Sequence, residues 1–439
     1  MTATFEPIPV VDLELTAADG GPVDTGDPPP ARVHALVRFA GWPVGQYLLH
    51  GSAPREWKAD LERVDPEVAG LGMSSRADSQ PGRSEVRAGG TDDDPGGRLT
   101  VVVPTLGRSP WLVPTVRALL AQTIRPRQIV VVDNDPESGA AAAAVRRLID
   151  ELDGTVDAGR LQVVAEPRRG ASRARNTGAR AARTEFVAFT DDDATPDPDW
   201  CEHLLRTIVV DPDIGCVTSL VVPAALTTRE QLLFEQYGGF GKGYRVSVWC
   251  PGPVEHRILS RLIAPTAASG SPWPPQAGHR GAAFPYTAGE FGAGVVCFRR
   301  DVLTEIGGFD RALGPGTPTC AGEDLDLCRR TYLAGLAVVY QPAAVVRHHH
   351  REDPGALTEQ VRGYGVGLTA ALTKLLVTRP RHIVGFAARI PAALRMLLSP
   401  DSTKNRSLPD DFPTELLAVE RRGILVGPWR YLKSRWLTR

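Results

Sequence analysis

The chain has no cysteine pair at CxxC spacing. Its six cysteines, Cys201, Cys216, Cys250, Cys297, Cys320 and Cys328, are scattered without zinc-ligand spacing, so reduced thiols in a cytoplasmic protein are expected. No uncharged apolar stretch approaches the roughly 18 residues of a membrane span. The start, Met1 to Pro7, has no basic region followed by an apolar run, so no secretory signal is expected. An internal repeat is also missing, which argues against a solenoid or propeller. Taken together, these absences imply a soluble protein, or one held peripherally at the inner face of the plasma membrane.

What is present is ordinary in bulk and uneven in distribution. The 439 residues suffice for two or three domains, and an apolar share of 42% with 23% charged residues suits a globular protein. The net charge of -1 hides a polarity: residues 1–100 carry 9 Lys/Arg against 16 Asp/Glu, whereas residues 361–439 carry 14 against 5. The two ends therefore face different surroundings or partners.

Composition divides the chain into five stretches. Residues 1–29, acidic and rich in Pro and Gly, predict a disordered tail. A small ββα module is expected over 30–72: Val33 to Phe39 alternates like a strand, Gly41-Trp42-Pro43 breaks it, Val44 to Leu49 reads as its partner, and Pro54 to Val64 as a helix. Residues 73–98 have almost no large apolar side chains and predict a flexible linker. From Leu99, strand-like runs (Leu99–Val103, Gln128–Val132, Leu161–Ala165, Glu185–Thr190) alternate with helix-like ones, which predicts α/β architecture with a mainly parallel sheet over 99–355. Residues 356–439 return to basic, helix-like patterning. Such a tail either packs on its own domain or lies on an anionic membrane.

Asp191-Asp192-Asp193 is the most informative feature, because it ends a short apolar run, Glu185 to Thr190. The carboxyl ends of strands in an open α/β sheet bind ligands, and clustered oxygens there suit Mg²⁺ or Mn²⁺ carrying phosphates. Asp92-Asp93-Asp94 has the same composition but lies between glycines with no strand before it, and reads as a solvated turn. If the triplet stays extended, Asp191 and Asp193 share one side and Asp192 takes the other. Arg169 and Arg175 bring positive charge to a helix start, where free N–H groups favour phosphate; a solvated basic face is the plain alternative. Asp133 ends its strand as a hydrogen-bond acceptor or as a simple turn residue. Glu323-Asp324 opens a helix-like stretch (Leu325, Cys328, Tyr332, Leu336), where the macrodipole favours an ionised carboxylate. His348 and His350 would share a face after Val345-Val346, and an imidazole there can join oxygen ligands on Mn²⁺ or simply sit in a solvated turn.

The ordered set resembles the family-2 glycosyltransferases of the GT-A fold. It comprises Val101-Val102-Val103-Pro104-Thr105 with Arg108, Val132-Asp133, Arg169 to Gly178, Asp191 to Trp200, Gly292-Ala293-Gly294, Gly307-Gly308-Phe309, Gly322-Glu323-Asp324 and His348-His349-His350. Each motif is weak alone; their order is specific. The resemblance implies a GT-A type Rossmann-like mixed sheet flanked by helices, with the N-terminal module and a helical C-terminal extension outside it. It assigns Pro104, Thr105, Arg108, Asp133, Arg169, Arg175, Asn176, Asp191 and Asp192 to a nucleotide-sugar. Asp193 and His348 become ligands of Mn²⁺ or Mg²⁺, Asp324 with Glu323 the catalytic acids, and Gly292, Ala293 and Gly294 the acceptor side. Asp324 is expected to deprotonate an acceptor hydroxyl as it attacks with inversion. The implied partners are a nucleoside-diphosphate sugar and a glycan, lipid-linked or small-molecule acceptor in cell-envelope or other glycoconjugate synthesis; no nucleic acid is expected.

Two departures stand out. Asn134-Asp135-Pro136 replaces the Asp-Gly-Ser common in relatives, and Gly294 stands where Asn is common. A sugar-nucleotidyltransferase also combines an α/β sheet with acids and Mg²⁺, but Leu106-Gly107-Arg108-Ser109-Pro110 is no Gly-rich, Lys-bearing phosphate cradle. A catalytically silent nucleotide-sugar-binding scaffold is the other alternative.

Overall fold

The computed structural model describes residues 5–16, 30–74, 95–152, 160–252, 254–278, 281–287, 289, 291, 294–402, 404–406 and 408–438. Most of the expected linker, including Asp92-Asp93-Asp94, lies outside them, as do Gly292 and Ala293.

The N-terminal module is larger than its sequence pattern suggests. Strands β1 (Val10–Glu14), β2 (Arg32–Phe39) and β3 (Trp42–His50) form a three-stranded sheet, β1 parallel to β2 and β2 antiparallel to β3. The expectation of a disordered tail is therefore corrected for residues 10–14. Val11 and Leu13 alternate with acidic residues and bury against the sheet, a period-2 signal outweighed in the sequence by the surrounding acids and prolines. The module is thus βββ with two helices, α1 (Pro54–Val64) and α2 (Pro66–Ser74). The hairpin turns at Ala40-Gly41, where φ of 50° and 79° matches a two-residue loop to the strand twist. Trp42 belongs to the paired strand, opposite Phe39, and is fully buried.

The second sheet is built from β4 (Leu99–Thr105), β5 (Gln128–Asp133), β6 (Leu161–Ala165), β7 (Phe186–Phe189), β8 (Ala194–Pro196), β9 (Ile214–Pro223), β10 (Ser247–Trp249), β11 (Gln276–Ala277), β12 (Val296–Arg299) and β13 (Ala337–His348). Its order is β11-β10-β13-β9-β12-β7-β4-β5-β6, with β8 attached to β13. Strands β6, β5, β4 and β7 run parallel; β12 lies antiparallel between β7 and β9, and β13 runs parallel to β9. The β-branched runs are buried on both faces, as central strands of a helix-covered sheet must be. Val101 and Val103 pack with α3 (Leu112–Leu120), α4 (Ala140–Glu151) and α6 (Trp200–Ile208), while Val102 turns to α5 (Ala171–Ala181) on the other face.

Further helices are α7 (Arg229–Tyr237), opened by a Thr228–Gln231 capping box, α8 (Val254–Ala268), α9 (Arg300–Glu305) and α10 (Glu323–Leu333). The chain closes with α11 (Pro354–Thr378), capped by Asp353, then α12 (His382–Ala387), α13 (Ile390–Leu398) and α14 (Thr414–Leu437). Glycines set how closely these helices lie. A Cβ on Gly322, just before α10, would come 2.4 Å from Gly367 O, and one on Gly367 would come 2.6 Å from the Ala321 carbonyl carbon. Gly423 and Gly427 likewise bring α14 against the backbone of α11. No described helix is long and apolar enough to cross a membrane.

Candidate active site

The carboxyl ends of β4, β5 and β7 meet at one edge, and the acidic triplet leaves that edge in a turn between β7 and β8. Strand alternation therefore does not carry through the triplet, which corrects the expected pairing of Asp191 with Asp193 on one side. Each carboxylate takes its own partner instead. Asp191 Oδ1 accepts from Arg175 Nη2 at 2.6 Å. Asp192 Oδ2 accepts from Thr105 Oγ1 at 2.5 Å. Asp193 Oδ1 lies 3.5 Å from His348 Nε2. β8 pairs antiparallel with the end of β13, placing Ala194 opposite His348, so the sheet itself brings the triplet to the histidines.

Burial and crowding raise the cost of charge here. Desolvation, then Asp191 and Asp192, push Asp193 up to about 7, and burial with Asp191 also raises Asp192 against the Thr105 hydrogen bond. A cation would relieve this crowding. Among the described residues no group of three or more His, Cys, Asp or Glu is arranged to hold a metal alone. Asp193 and His348 fit a site in which the protein would supply one oxygen and one nitrogen ligand and a diphosphate and water the rest, a mixed donor set better suited to Mn²⁺ than to Mg²⁺. Arg351 Nη2 stands 3.9 Å from Asp193 Oδ2 at the rim.

Behind His348 runs a relay that fixes its tautomer. His350 Nε2 lies 2.8 Å from Glu235 Oε1, and a carboxylate only accepts, so that nitrogen carries hydrogen. In a neutral ring His350 Nδ1 then accepts, from His348 Nδ1 at 2.9 Å. This leaves the His348 Nε2 lone pair directed toward Asp193. Burial, reinforced by His350 and Arg351, holds His348 well below its ordinary pKa and hence neutral. His349 turns the other way and stacks on Trp111, ring centroids 3.5 Å apart.

Arg175 joins the two halves of the site. Its buried guanidinium donates to Asp191 and, through Nη1 at 2.7 Å, to Glu323 Oε1 in the first turn of α10. Burial alone would lower its pKa, but the two carboxylates outweigh that and raise it. Burial and the neighbouring Asp324 push Glu323 up to about 7, opposed by Arg175. Asp324, partly exposed, is raised by burial even though its Oδ1 accepts from Leu325 N at 2.8 Å. Tyr364 on α11 is raised by burial, with Asp324 and Asp193 adding to it, and its hydroxyl accepts from Gln360 Nε2 at 2.7 Å. Gly294 lies against Arg175: a Cβ there would stand 3.4 Å from Nη2, so a larger residue would crowd the guanidinium.

Other expected site residues have structural partners. Asp133 is buried and its Oδ1 accepts from Asp135 N, the turn role. Asn176 donates to Phe309 O and accepts from Phe309 N, clasping the 306–310 loop. Arg108 and Arg169 converge on Asp135 Oδ2 at 2.8 and 2.7 Å, beside the edge. Pro104 is half-buried in β4, and Gly107 N donates to Thr105 Oγ1. Glu235, Tyr364, Trp111 and Asp135 were not singled out by the sequence. Only Asp135, next to Asp133, carried a local signal; the others arrive from distant elements.

The chain belongs to a family of glycosyl-transferring enzymes: the model described as Glycosyltransferase like family 2 matches residues 95–364. Its architecture is a mixed, helix-flanked α/β sheet. Among curated relatives, the pre-mycofactocin glycosyltransferase of Mycobacterium tuberculosis is 29% identical over 256 residues, 58% of this chain and 43% of that protein. The glucosyl-dolichyl phosphate glucuronosyltransferase of Haloferax volcanii is 28% identical, over 57% of this chain and 69% of that protein. The chain thus spans less than half the length of the mycobacterial relative. A solved mannosyltransferase from Pyrobaculum calidifontis, in complex with GDP-Man and Mn²⁺, is similar with a TM-score of 0.47 and 19% identity, covering 76% of this chain and 87% of that one.

Proposed function

We propose that the chain transfers a sugar from a nucleoside-diphosphate sugar to an acceptor hydroxyl, with inversion and with a divalent cation. The observation that carries this reading is Arg175, whose buried guanidinium holds Asp191 of the triplet and Glu323 of the acid pair at once. The acids read here as donor-side and acceptor-side are thus joined through one guanidinium.

In this reading Asp191, Arg108 and Arg169 meet the nucleotide and its phosphates. Asp193 and His348 Nε2 would hold Mn²⁺ or Mg²⁺, which supplies Lewis-acid neutralisation of the departing diphosphate. Asp324 takes the proton of the acceptor hydroxyl as its oxygen bonds to the anomeric carbon; the bond from that carbon to phosphate oxygen breaks, and the electron pair leaves with the diphosphate. Glu323, fixed by Arg175, keeps the start of α10 in register with the donor. The Haloferax relative is named for a dolichyl-phosphate-linked sugar, which supports a lipid-linked acceptor in glycoconjugate synthesis.

Product analysis tests the reading. Incubation with nucleotide-sugars, an acceptor panel and Mn²⁺ should release free nucleoside diphosphate with formation of a glycoside. Pyrophosphate in its place would assign a nucleotidyltransferase, and donor binding without turnover would assign a scaffold. A thermal-shift screen identifies the donor first, because a ligand bound only by the folded form raises its stability.

A further inference from the structure

The C-terminal helices show an apolar face that nothing among the described residues covers. On α14, Leu425, Trp429, Leu432 and Trp436 recur at spacings of four, three and four residues, which sets them on one stripe. They are 79%, 68%, 46% and 74% exposed. The opposite face of the same helix packs on α11 through Gly423, Gly427 and Tyr431, so the stripe is not the frayed side of a loose helix. α12 and α13 bury no residue at all, although Ile383, Val384, Ile390, Leu394 and Leu398 are apolar.

Charge identifies what covers them. Between Gln360 and Pro400 the chain has no acidic residue, and it has none after Glu420. Arg379, Arg381, Arg389 and Arg395 flank the first apolar group; Arg430, Lys433 and Arg435 flank the second. Arg421 Nη2 donates to Leu397 O at 2.9 Å, which ties the end of α13 to the first half of α14. A second copy docking here would oppose like charges. Tryptophan interleaved with leucine and cations suits the headgroup boundary of an acidic bilayer, where the ring sits between water and acyl chain and the cations meet phosphate.

We infer that α12, α13 and the second half of α14 form a docking surface for an anionic lipid bilayer. The surface adjoins the acceptor side of the proposed site. Tyr286 Oη lies 2.8 Å from His382 Nδ1 and its ring lies under Arg389 at 4.7 Å, while the next residue, Thr287, accepts through its carbonyl from Arg329 of α10. Docking there would bring Tyr286 and Thr287, a few residues before Gly294, near the lipid interface.

Vesicle flotation of the full chain tests this. Phosphatidylcholine vesicles containing a third of phosphatidylglycerol should carry the protein up, pure phosphatidylcholine should not, and raised salt should release it. The Trp429→Ser/Trp436→Ser variant should bind at least about tenfold more weakly, and Arg430→Glu/Lys433→Glu should lose the preference for acidic lipid. Donor hydrolysis by both variants should match the parent, which separates failure of docking from failure of the proposed chemistry. Equal flotation with neutral and acidic vesicles, no flotation of the parent, or parent-like binding by the tryptophan variant would overturn the inference. So would a dimer in sedimentation that the tryptophan variant abolishes, since a second copy would then be the occupant.

Discussion

Two side chains carry the most testable consequences at the scale of single residues. Burial lifts Asp324 above its ordinary value, so the base proposed here would lose its charge, and turnover would fall, at a higher pH than with a solvated aspartate. kcat should therefore rise with pH along an acid limb displaced upward, and Asp324→Asn should remove that limb together with about a hundredfold or more of turnover while donor affinity stays near the parent's. Parent-like turnover in the amide variant would refute the role. Glu235 touches no proposed ligand directly, yet it directs the His348 lone pair through His350. Glu235→Leu should weaken Mn²⁺ binding by about ten- to a hundredfold in calorimetry; unchanged affinity would mean that the ring orients without it. Of the two relay partners, only His350 was legible in the sequence. His348 and His350 announce themselves as a triplet after a strand, whereas Glu235 lies on a helix more than a hundred residues earlier and looks like any surface acid. Asn176 sits inside a matching motif, and its hydrogen bonds to the backbone of Phe309 were not legible there.

At the scale of elements, the apolar β-branched runs of β4, β5 and β7 were readable because strands buried on both faces leave no other pattern. β1 was missed because five alternating residues cannot outvote an acidic, proline-rich neighbourhood, and the turn at the triplet was missed because nothing local marks where β7 stops being extended. The contact between α10 and α11 was equally hidden, being made by single charges far apart in sequence. Lys374 Nζ donates to Asp326 Oδ2 at 2.7 Å and reaches Asp310 Oδ2 at 2.9 Å. Burial pushes Asp326 upward, but Arg330 and Lys374 outweigh it and hold the carboxyl below its usual range. The clasp is therefore intact at neutral pH and is lost only as pH falls through that depressed value. Lys374→Met leaves a buried acid with one cation fewer and should cost about 3 kcal/mol in urea unfolding; an unchanged midpoint would show that Arg330 suffices.

Taken whole, the molecule is less divided than its composition suggests. Val11, Leu13, Trp42 and Trp57 of the N-terminal module share one continuous core with Trp200 and Val346 of the catalytic sheet. Trp42 Nε1 donates to Tyr244 O, and Arg347, one residue before His348, pairs with Asp12 of β1 as well as Asp197. Trp42→Ala should lower stability by about 3–5 kcal/mol in a single transition seen alike by far-ultraviolet dichroism and fluorescence. Two separated transitions would instead show an independent module. The glycine contact between Gly322 and Gly367 bears on the chemistry itself. With backbone seated on backbone, a displacement of α11 would be felt at the start of α10, where Asp324 sits. One added methyl group, Gly367→Ala, should depress turnover while sparing donor affinity, so a helix outside the sheet would set the timing of a proton transfer it never touches.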